Sequence, residues 1–176
     1  FIAAALLADS PTMLHGISDC DDTNVALSIA AALGAEIELG SDSVRITPCL
    51  SSIPRPRSEK LHAGESGLAA RLFAPIAALS LDTLTLTGEG ALMNRPFEMV
   101  TNGLAALGVK TTGGNTLPIT IEGPLVGGEI EIDGSISSQF LTGLLLALPY
   151  AEQDSKVLVH NLTSRPYIEM TLEVMR

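Results

Sequence analysis

Apolar and polar residues alternate along the chain in a pattern that predicts strands followed by helices. The strand-like runs are residues 13–17, 84–88 and 157–161. Each run is followed by a polar loop and then by a helical pattern. The helices after the first two runs end alike, with ALGA at 32–35 and ALGV at 106–109. Those after the last two begin alike, with RPF at 95–97 and RPY at 165–167. A unit of about 70 residues is therefore repeated.

A second kind of helix lies between these units and has almost no polar face. Residues 67–79 and 138–148 are apolar on nearly all sides, and residues 1–8 resemble the end of a third copy. Helices of this kind belong to a protein interior, so we expect them inside. The helix that begins at Asp22 is amphipathic, with Val25 and Ile29 on one face, and is expected outside.

Short alternating segments complete each unit. Residues 36–47 predict a hairpin that turns at 40–42, residues 110–121 predict one that turns at 113–115, and residues 128–133 predict a further strand. The expected fold class is α/β, a pseudo-threefold repeat in which inner helices are surrounded by sheets and outer helices. The chain begins inside an inner helix and stops inside an outer one, so we expect a piece of a longer protein.

Composition excludes several classes of function. Twenty acidic residues against ten basic ones give a net charge of −10, which repels nucleic acid, and Trp is absent. The longest apolar runs are far shorter than the roughly 20 residues of a membrane span. Cys20 and Cys49 form no metal-binding or disulfide pattern, so we expect no metal and a reducing, cytoplasmic compartment.

Small polar residues or arginines stand at the start of each predicted helix. These positions are residues 21–23, 66–67, 94–96, 137–139 and 164–166. Taken singly, each is explained by helix capping. Taken together, parallel helices would bring their amino ends to one face and create an anion site. Arg95 and Arg165 support that interpretation, because a positive charge beside a helix amino end is unfavourable unless an anion lies between them.

Four stretches carry a resemblance to a known family. They are SDCDDT at 18–23, the segment 88–96 with GEG and NRP at its ends, DGSISSQFL at 133–141, and SRPYI at 164–168. These stretches resemble, in order and spacing, the successive motifs of the 3-phosphoshikimate 1-carboxyvinyltransferase (EPSP synthase) family. The resemblance covers essentially the whole chain and implies a fold of two lobes, each built from three βαβαββ units. Residues 1–176 would form most of the first lobe.

The resemblance also implies an activity. Enzymes of this family transfer the carboxyvinyl group of phosphoenolpyruvate to the 5-hydroxyl of shikimate 3-phosphate, release phosphate, and serve the shikimate pathway of aromatic amino acid biosynthesis. The expected partners are these two small molecules, and no metal or organic cofactor is implied.

Site residues follow by similarity. Those that would bind shikimate 3-phosphate are Ser137, Ser138, Gln139, Ser164 and Tyr167. Those that would face phosphoenolpyruvate are Gly67, Arg95 and Gln139. Catalytic positions fall on Asp22 and Gln139, although Asp22 is equally explained as a residue that caps a helix together with Asp21.

One motif departs from the family pattern. The loop often written GNAGT, with Arg three residues further on, reads GESGL at 64–68 followed by Arg71. Gly67 and Arg71 are retained, but Glu65 places a carboxylate where an amide is common and Leu68 removes a hydroxyl. Glyphosate sensitivity is therefore not inferred.

Important parts of the family's site would lie outside these residues. Its Lys-Ser motif would fall just before Phe1, and its second lobe, with the main acid and base carboxylates, would follow Arg176. We therefore expect the chain alone to bind shikimate 3-phosphate weakly or not at all and to show no turnover.

Two alternatives remain open at this point. The related UDP-N-acetylglucosamine enolpyruvyl transferases share the fold, but residues 137–139 and 164–167 suit a small phosphorylated acid and no cysteine lies in the loop where that family usually has one. A non-catalytic repeat domain kept for binding or assembly is the other alternative.

Overall fold

Strands and helices alternate along the chain in the predicted order. The structure is a computed structural model that describes residues 1–49, 53–135 and 138–176. Within these ranges the helices are α1 (Ile2–Leu6), α2 (Asp21–Ala32), α3 (Gly67–Ala77), α4 (Glu98–Ala106), α5 (Ser138–Ala147) and α6 (Arg165–Val174). The strands are β1 (Thr12–His15), β2 (Glu36–Leu39), β3 (Ser43–Thr47), β4 (Lys60–His62), β5 (Thr83–Thr87), β6 (Lys110–Gly113), β7 (Ile119–Glu122), β8 (Glu129–Asp133) and β9 (Lys156–His160). Short 3-10 helices occupy Gly90–Asn94 and Leu148–Tyr150.

The middle of the chain shows the repeating unit in full. Strands β4 and β5 are parallel and joined through α3, and α4 leads from β5 to the antiparallel pair β6 and β7. The sheet order is β4-β5-β7-β6, which gives the unit βαβαββ. The three-stranded sheet β1-β3-β2 repeats the second part of this unit, and the parallel pair β8-β9 with α5 and α6 repeats the first part. The predicted fold class is confirmed.

Both predicted hairpins are present, and the turn of the first lies where it was predicted. In the first, Ile37 lies opposite Ile46 and Leu39 opposite Val44, so the turn falls at 40–42 as expected. In the second, Gly113 still pairs with Ile119, so the connection runs from 114 to 118 rather than turning at 113–115.

Strand β4 is the element that the sequence pattern misses. Its three residues are too few to show an alternation, and residues 55–60 look like a polar loop. The strand forms because Leu61 is fully buried and lies beside Leu86 in the parallel pair with β5. Tertiary contact therefore defines this strand.

The inner helices form the centre of the core. Phe73 of α3 and Phe140 of α5 are almost completely buried, and each contributes roughly 2–3 kcal/mol by leaving water. The two helices are in close contact at Gly143, where a Cβ atom would overlap the backbone carbonyl oxygen of Leu72. The outer helix α4 packs Gly103 against the ring of Phe140. The prediction of apolar inner helices and amphipathic outer helices is confirmed.

A hydrogen bond links the last repeat to the first. The hydroxyl of Tyr150, just after α5, donates to the backbone carbonyl oxygen of Leu7 at the end of α1. Helix α5 also packs on α3, and α2 contacts both α1 and α3. The three units are therefore joined in a closed arrangement. In the part of the chain that the structure describes, no helix has the length and apolarity to cross a membrane.

The close approach at Gly143 makes a testable prediction. Substituting Gly143→Ala forces α3 and α5 apart and is expected to lower the free energy of unfolding by about 1–3 kcal/mol, despite the higher helix propensity of Ala. The matched control is Gly114→Ala, since a Cβ at Gly114 meets no atom within 4 Å. Urea unfolding curves of both variants test this, and equal midpoints would contradict the packing assigned to Gly143.

Candidate active site

A hydrogen bond joins the amino ends of α2 and α3. The hydroxyl of Ser66, the N-cap of α3, accepts the backbone N–H of Ala69 at 3.0 Å and donates to Oδ1 of Asp22. Asp22 lies in the first turn of α2. The two helices, although 44 residues apart at this contact, therefore begin at the same place.

Two arginines meet at the first residue of α3. Nη1 of Arg71 donates to the carbonyl oxygen of Gly67 at 3.2 Å, and Nη2 donates to that of Pro96 at 3.2 Å. A Cβ atom on Gly67 would lie 2.8 Å from Nη1 of Arg71 and 3.0 Å from Nη1 of Arg95. Glycine at this position therefore leaves the space in which both guanidinium groups approach the backbone.

The electrostatics of this pair favour an anionic ligand. Burial, and next to it the positive charge of Arg95, lower the pKa of Arg71 below its ordinary value. Within the described residues, the ion pairs at 4.0 Å or less involve neither arginine. Instead, Arg71 lies over the ring of Phe97, 4.9 Å from its centroid. An anion between the two guanidinium groups would relieve their repulsion.

Two cavities open on either side of the amino end of α5. A cleft of about 890 Å³ lies between α4 and β8, and Arg71, Pro96, Ser138, Gln139 and Ser164 contribute to its wall. A groove of about 530 Å³, more apolar, is lined by Leu68, Ser138, Gln139 and Tyr167 together with residues of α1. Ser138 and Gln139 therefore border both.

A sequence model of EPSP synthase, 3-phosphoshikimate 1-carboxyvinyltransferase, matches residues 1–176. The chain belongs to the EPSP synthase family.

Individual relatives agree with this assignment. The 3-phosphoshikimate 1-carboxyvinyltransferase of Methanocorpusculum labreanum is 34% identical over 178 residues, which cover 100% of this chain and 42% of the relative. That of Pectobacterium carotovorum is 36% identical, covering 98% of this chain and 42% of the relative. The chain thus spans about 42% of the length of these relatives.

Solved structures share the fold. EPSP synthase from Acinetobacter baumannii superposes with a TM-score of 0.75 and 25% identity, over 89% of this chain and 37% of that one. The enolpyruvyl transferase NikO from Streptomyces tendae gives a TM-score of 0.66 at 20% identity, over 98% of this chain and 41% of that one, and shows the fold alone.

The predicted site residues of this EPSP synthase family member fall into two neighbouring groups, which Arg71 joins. Asp22, Gly67 and Arg95 are connected through Ser66 and Arg71. The remaining predicted residues lie around the amino ends of α5 and α6: Ser138 and Gln139 between the two cavities, Ser164 in the cleft, and Tyr167, 63% exposed, in the groove. Ser137 lies outside the described residues.

Two details differ from the expectation. Helix α4 begins at Glu98 with Phe97 as its N-cap, so Pro96 and Arg95 precede the helix instead of starting it. Arg165 does begin α6, but Glu169 one turn later lies 3.8 Å from its Nη1 and offsets its charge. The argument for an external anion therefore applies to Arg95 at the start of α3, which it approaches at Gly67, and does not apply to Arg165.

Arg71 is the member of the site that the sequence reasoning left out. Its spacing of four residues from Gly67 is the sequence feature that indicates its position at the site. Side chains on a helix point back toward its amino end, so a residue in the second turn reaches the first. The retained Gly-x-x-x-Arg spacing at 67–71 could have placed the guanidinium at the helix start.

The unusual Glu65 contacts the loop that leads to Arg95. A Cβ atom on Gly90 would overlap the Glu65 carboxylate, and Gly90 has φ +55°, a conformation that favours glycine. The backbone N–H of Glu89 also donates to the carbonyl oxygen of Gly64 at 2.8 Å. The loops that follow β4 and β5 are therefore packed together. Within the described residues, no group of three or more His, Cys, Asp or Glu side chains is placed to hold a metal ion.

The arginine pair predicts a phosphate-dependent stability. When inorganic phosphate is present near the dissociation constant of its complex with the chain, phosphate binding is expected to raise the free energy of unfolding by about 0.4 kcal/mol and Tm by about 1–2 °C. Arg95→Gln is expected to abolish this rise while leaving Tm in chloride unchanged or slightly higher, because it removes the repulsion on Arg71. Arg45→Gln, on the exposed face of β3, is the control that keeps the rise. An equal phosphate response in Arg95→Gln would contradict the site.

The thiol at the start of α2 gives a pH-dependent prediction. Cys20 is exposed, and its Sγ lies 3.3 Å from Oγ1 of Thr23 and 3.7 Å from Oγ of Ser18. The hydroxyl of Thr23, then its backbone N–H and the Ser18 hydroxyl, lower the pKa of Cys20. Because the thiolate is the reactive form, alkylation by iodoacetamide should reach half its maximal rate at a lower pH than for a free cysteine. Thr23→Val should move this midpoint to higher pH, and an unchanged midpoint would refute the contact.

Proposed function

We propose that the chain supplies one substrate-binding face of a 3-phosphoshikimate 1-carboxyvinyltransferase. The reaction moves the carboxyvinyl group of phosphoenolpyruvate to the 5-hydroxyl of shikimate 3-phosphate and releases phosphate. The observation that carries the proposal is the meeting of Arg71 and Arg95 at Gly67, in a chain that the family matches over its full length. The names of the relatives support it.

The arginines would bind phosphoenolpyruvate. The guanidinium of Arg95 offers paired N–H donors that match a carboxylate or phosphate, which a lysine ammonium does not. Arg71, whose Nη1 and Nη2 already donate to the carbonyl oxygens of Gly67 and Pro96, adds positive charge beside it. The backbone N–H groups at the start of α3 add partial positive charge at the same place. Gly67 keeps this surface open because it carries no side chain. Gln139, which borders both cavities, can reach toward either substrate.

Shikimate 3-phosphate would lie at the amino ends of α5 and α6. Ser137, Ser138 and Ser164 offer hydroxyl donors for its phosphate and ring oxygens. Tyr167, exposed in the groove, offers an aromatic face for the ring. The more apolar groove and the polar cleft thus provide different surfaces for the ring and for its charged substituent.

The proposed chemistry requires both binding and proton transfer. The 5-hydroxyl oxygen bonds to C2 of phosphoenolpyruvate and loses its proton while C3 gains one. The C2–O bond to phosphate then breaks and C3 returns a proton, which restores the double bond. Arg71 and Arg95 would stabilise the phosphate as it leaves. Asp22 lies close enough to α3 to hold or accept a proton there, but one carboxylate does not provide both transfers.

We further propose that residues 1–176 form one lobe and that the remaining acid and base groups come from a second lobe outside these residues. The support is that the chain covers about 42% of its relatives. We call a polypeptide that joins these 176 residues to that second lobe the two-lobe protein.

Turnover tests the proposal directly. The two-lobe protein is expected to form the enolpyruvyl product, and the 176-residue chain alone is expected not to. Arg95→Ala in the two-lobe protein should lower kcat/KM for phosphoenolpyruvate by roughly 10- to 100-fold, the loss expected for hydrogen bonds to a charged group. Phosphate release, measured with a coupled assay, reports the rate.

The matched control is Arg45→Ala, whose exposed ion pair with Glu38 lies on another sheet and should leave the rate unchanged. Calorimetry should detect binding of shikimate 3-phosphate to the two-lobe protein. Binding of a UDP-sugar in its place would refute the assigned substrate, and turnover by the 176-residue chain would refute the division into lobes.

A further inference from the structure

A single buried hydroxyl connects two helices of different repeat units beside the arginine pair. Ser66 is 7% exposed, and in the described ranges the other buried polar residues are Ser80 and Thr171. Its oxygen accepts the N–H of Ala69 at 3.0 Å, and its proton is donated to Oδ1 of Asp22. The hydroxyl of Ser66 therefore acts both as a hydrogen-bond donor and as an acceptor.

Helix capping explains only half of this arrangement. An N-cap residue needs only a side-chain oxygen that accepts a free backbone N–H, and Asp or Asn would also provide one. The second bond goes to a carboxylate 44 residues earlier in the chain. A hydroxyl is required to accept and donate from the same atom, and Asp at this position would place two carboxylates against each other.

The bond restricts a side chain that is otherwise free to move. Asp22 is exposed on the first turn of α2, and its rotamers would be sampled freely without a partner. The hydrogen bond holds its carboxylate against the amino end of α3. The next residue after Ser66 is Gly67, where the guanidinium groups of Arg71 and Arg95 converge.

We propose that Ser66 is a positioning residue of this site, whose hydroxyl fixes the Asp22 carboxylate relative to the amino end of α3 and the Arg71–Arg95 pair. The consequence for catalysis rests on the proposed function. The link between the two helices does not, because it is a property of the folded chain.

The link is tested in the 176-residue chain by a double-mutant cycle. Ser66→Ala, Asp22→Ala and the double variant are unfolded in urea. Each substitution changes the unfolding equilibrium constant by some factor relative to the unsubstituted chain. If the hydrogen bond exists, the factor for the double variant should differ at least about fivefold from the product of the factors for the two single variants. Additive effects would overturn the proposal.

Two further variants separate positioning from simple structural support. Ser80→Ala removes another buried hydroxyl, which lies beyond the carboxyl end of α3. That hydroxyl accepts the backbone N–H of Asp82 at 3.0 Å and donates to the Asp82 carboxylate at 3.5 Å. The substitution should lower stability to a similar degree as Ser66→Ala. Ser66→Thr keeps the hydroxyl and should retain both the coupling and the wild-type stability to within about twofold in the unfolding constant.

Kinetics of the two-lobe protein provide the functional readout. Ser66→Ala should lower kcat about tenfold while KM for both substrates changes less than about threefold, because Asp22 is misplaced while the arginines and the α5 hydroxyls remain. Ser66→Thr should restore kcat, and Ser80→Ala should leave it unchanged. A wild-type kcat in Ser66→Ala, or an equal loss in Ser80→Ala, would overturn the positioning role.

The two proposals fail in different ways. Absence of transferase activity in the unsubstituted two-lobe protein would refute the proposed function, and the thermodynamic cycle would still decide whether Ser66 links Asp22 to α3. Transferase activity together with an additive cycle would refute the role of Ser66 alone.

Discussion

The inner helices have no polar face, and this requires the rest of the chain to enclose them. Helices α3 and α5 meet along a contact so close that Gly143 lies on the backbone of Leu72. Helices α3 and α5 each follow a short strand, β4 and β8 respectively, and each leads to the strand that is parallel to it. Arg71 of α3 and the first two residues of α5, Ser138 and Gln139, line one cleft, so the two helices begin on the same side of the structure. The location of the site follows from this enclosure.

Charge is distributed unevenly around that end. The protein has a net charge of −10, and ion pairs offset basic residues on the outer strands, such as Lys110 with Glu122 at 2.8 Å. Arg71 differs, since its neighbours are two backbone carbonyls, the ring of Phe97 and a second arginine, Arg95. An acidic protein can therefore carry a local positive surface, while its remaining surface repels large polyanions.

Periodicity reveals the parts of this fold that extend over many residues. The repeat, the inner and outer helices and both hairpins follow from the spacing of apolar residues. Strand β4 does not, because three residues carry no period and depend on Leu86 of a neighbouring strand. The site shows the same division. Motif resemblance points to Gly67, Arg95 and Gln139, but the path of Arg71 to Pro96 and the bond from Ser66 to Asp22 depend on which helices become neighbours. Contacts between distant segments require the folded arrangement, and no local pattern encodes them.

The hydrogen bond from Tyr150 to Leu7 bears on how such a protein can change in evolution. Open solenoids gain or lose repeats at little cost, since each repeat touches only its neighbours. Here the last unit contacts the first, so an added or deleted unit would separate them and expose the apolar helices at the centre. The geometry of the described residues therefore disfavours the insertion or loss of a whole unit.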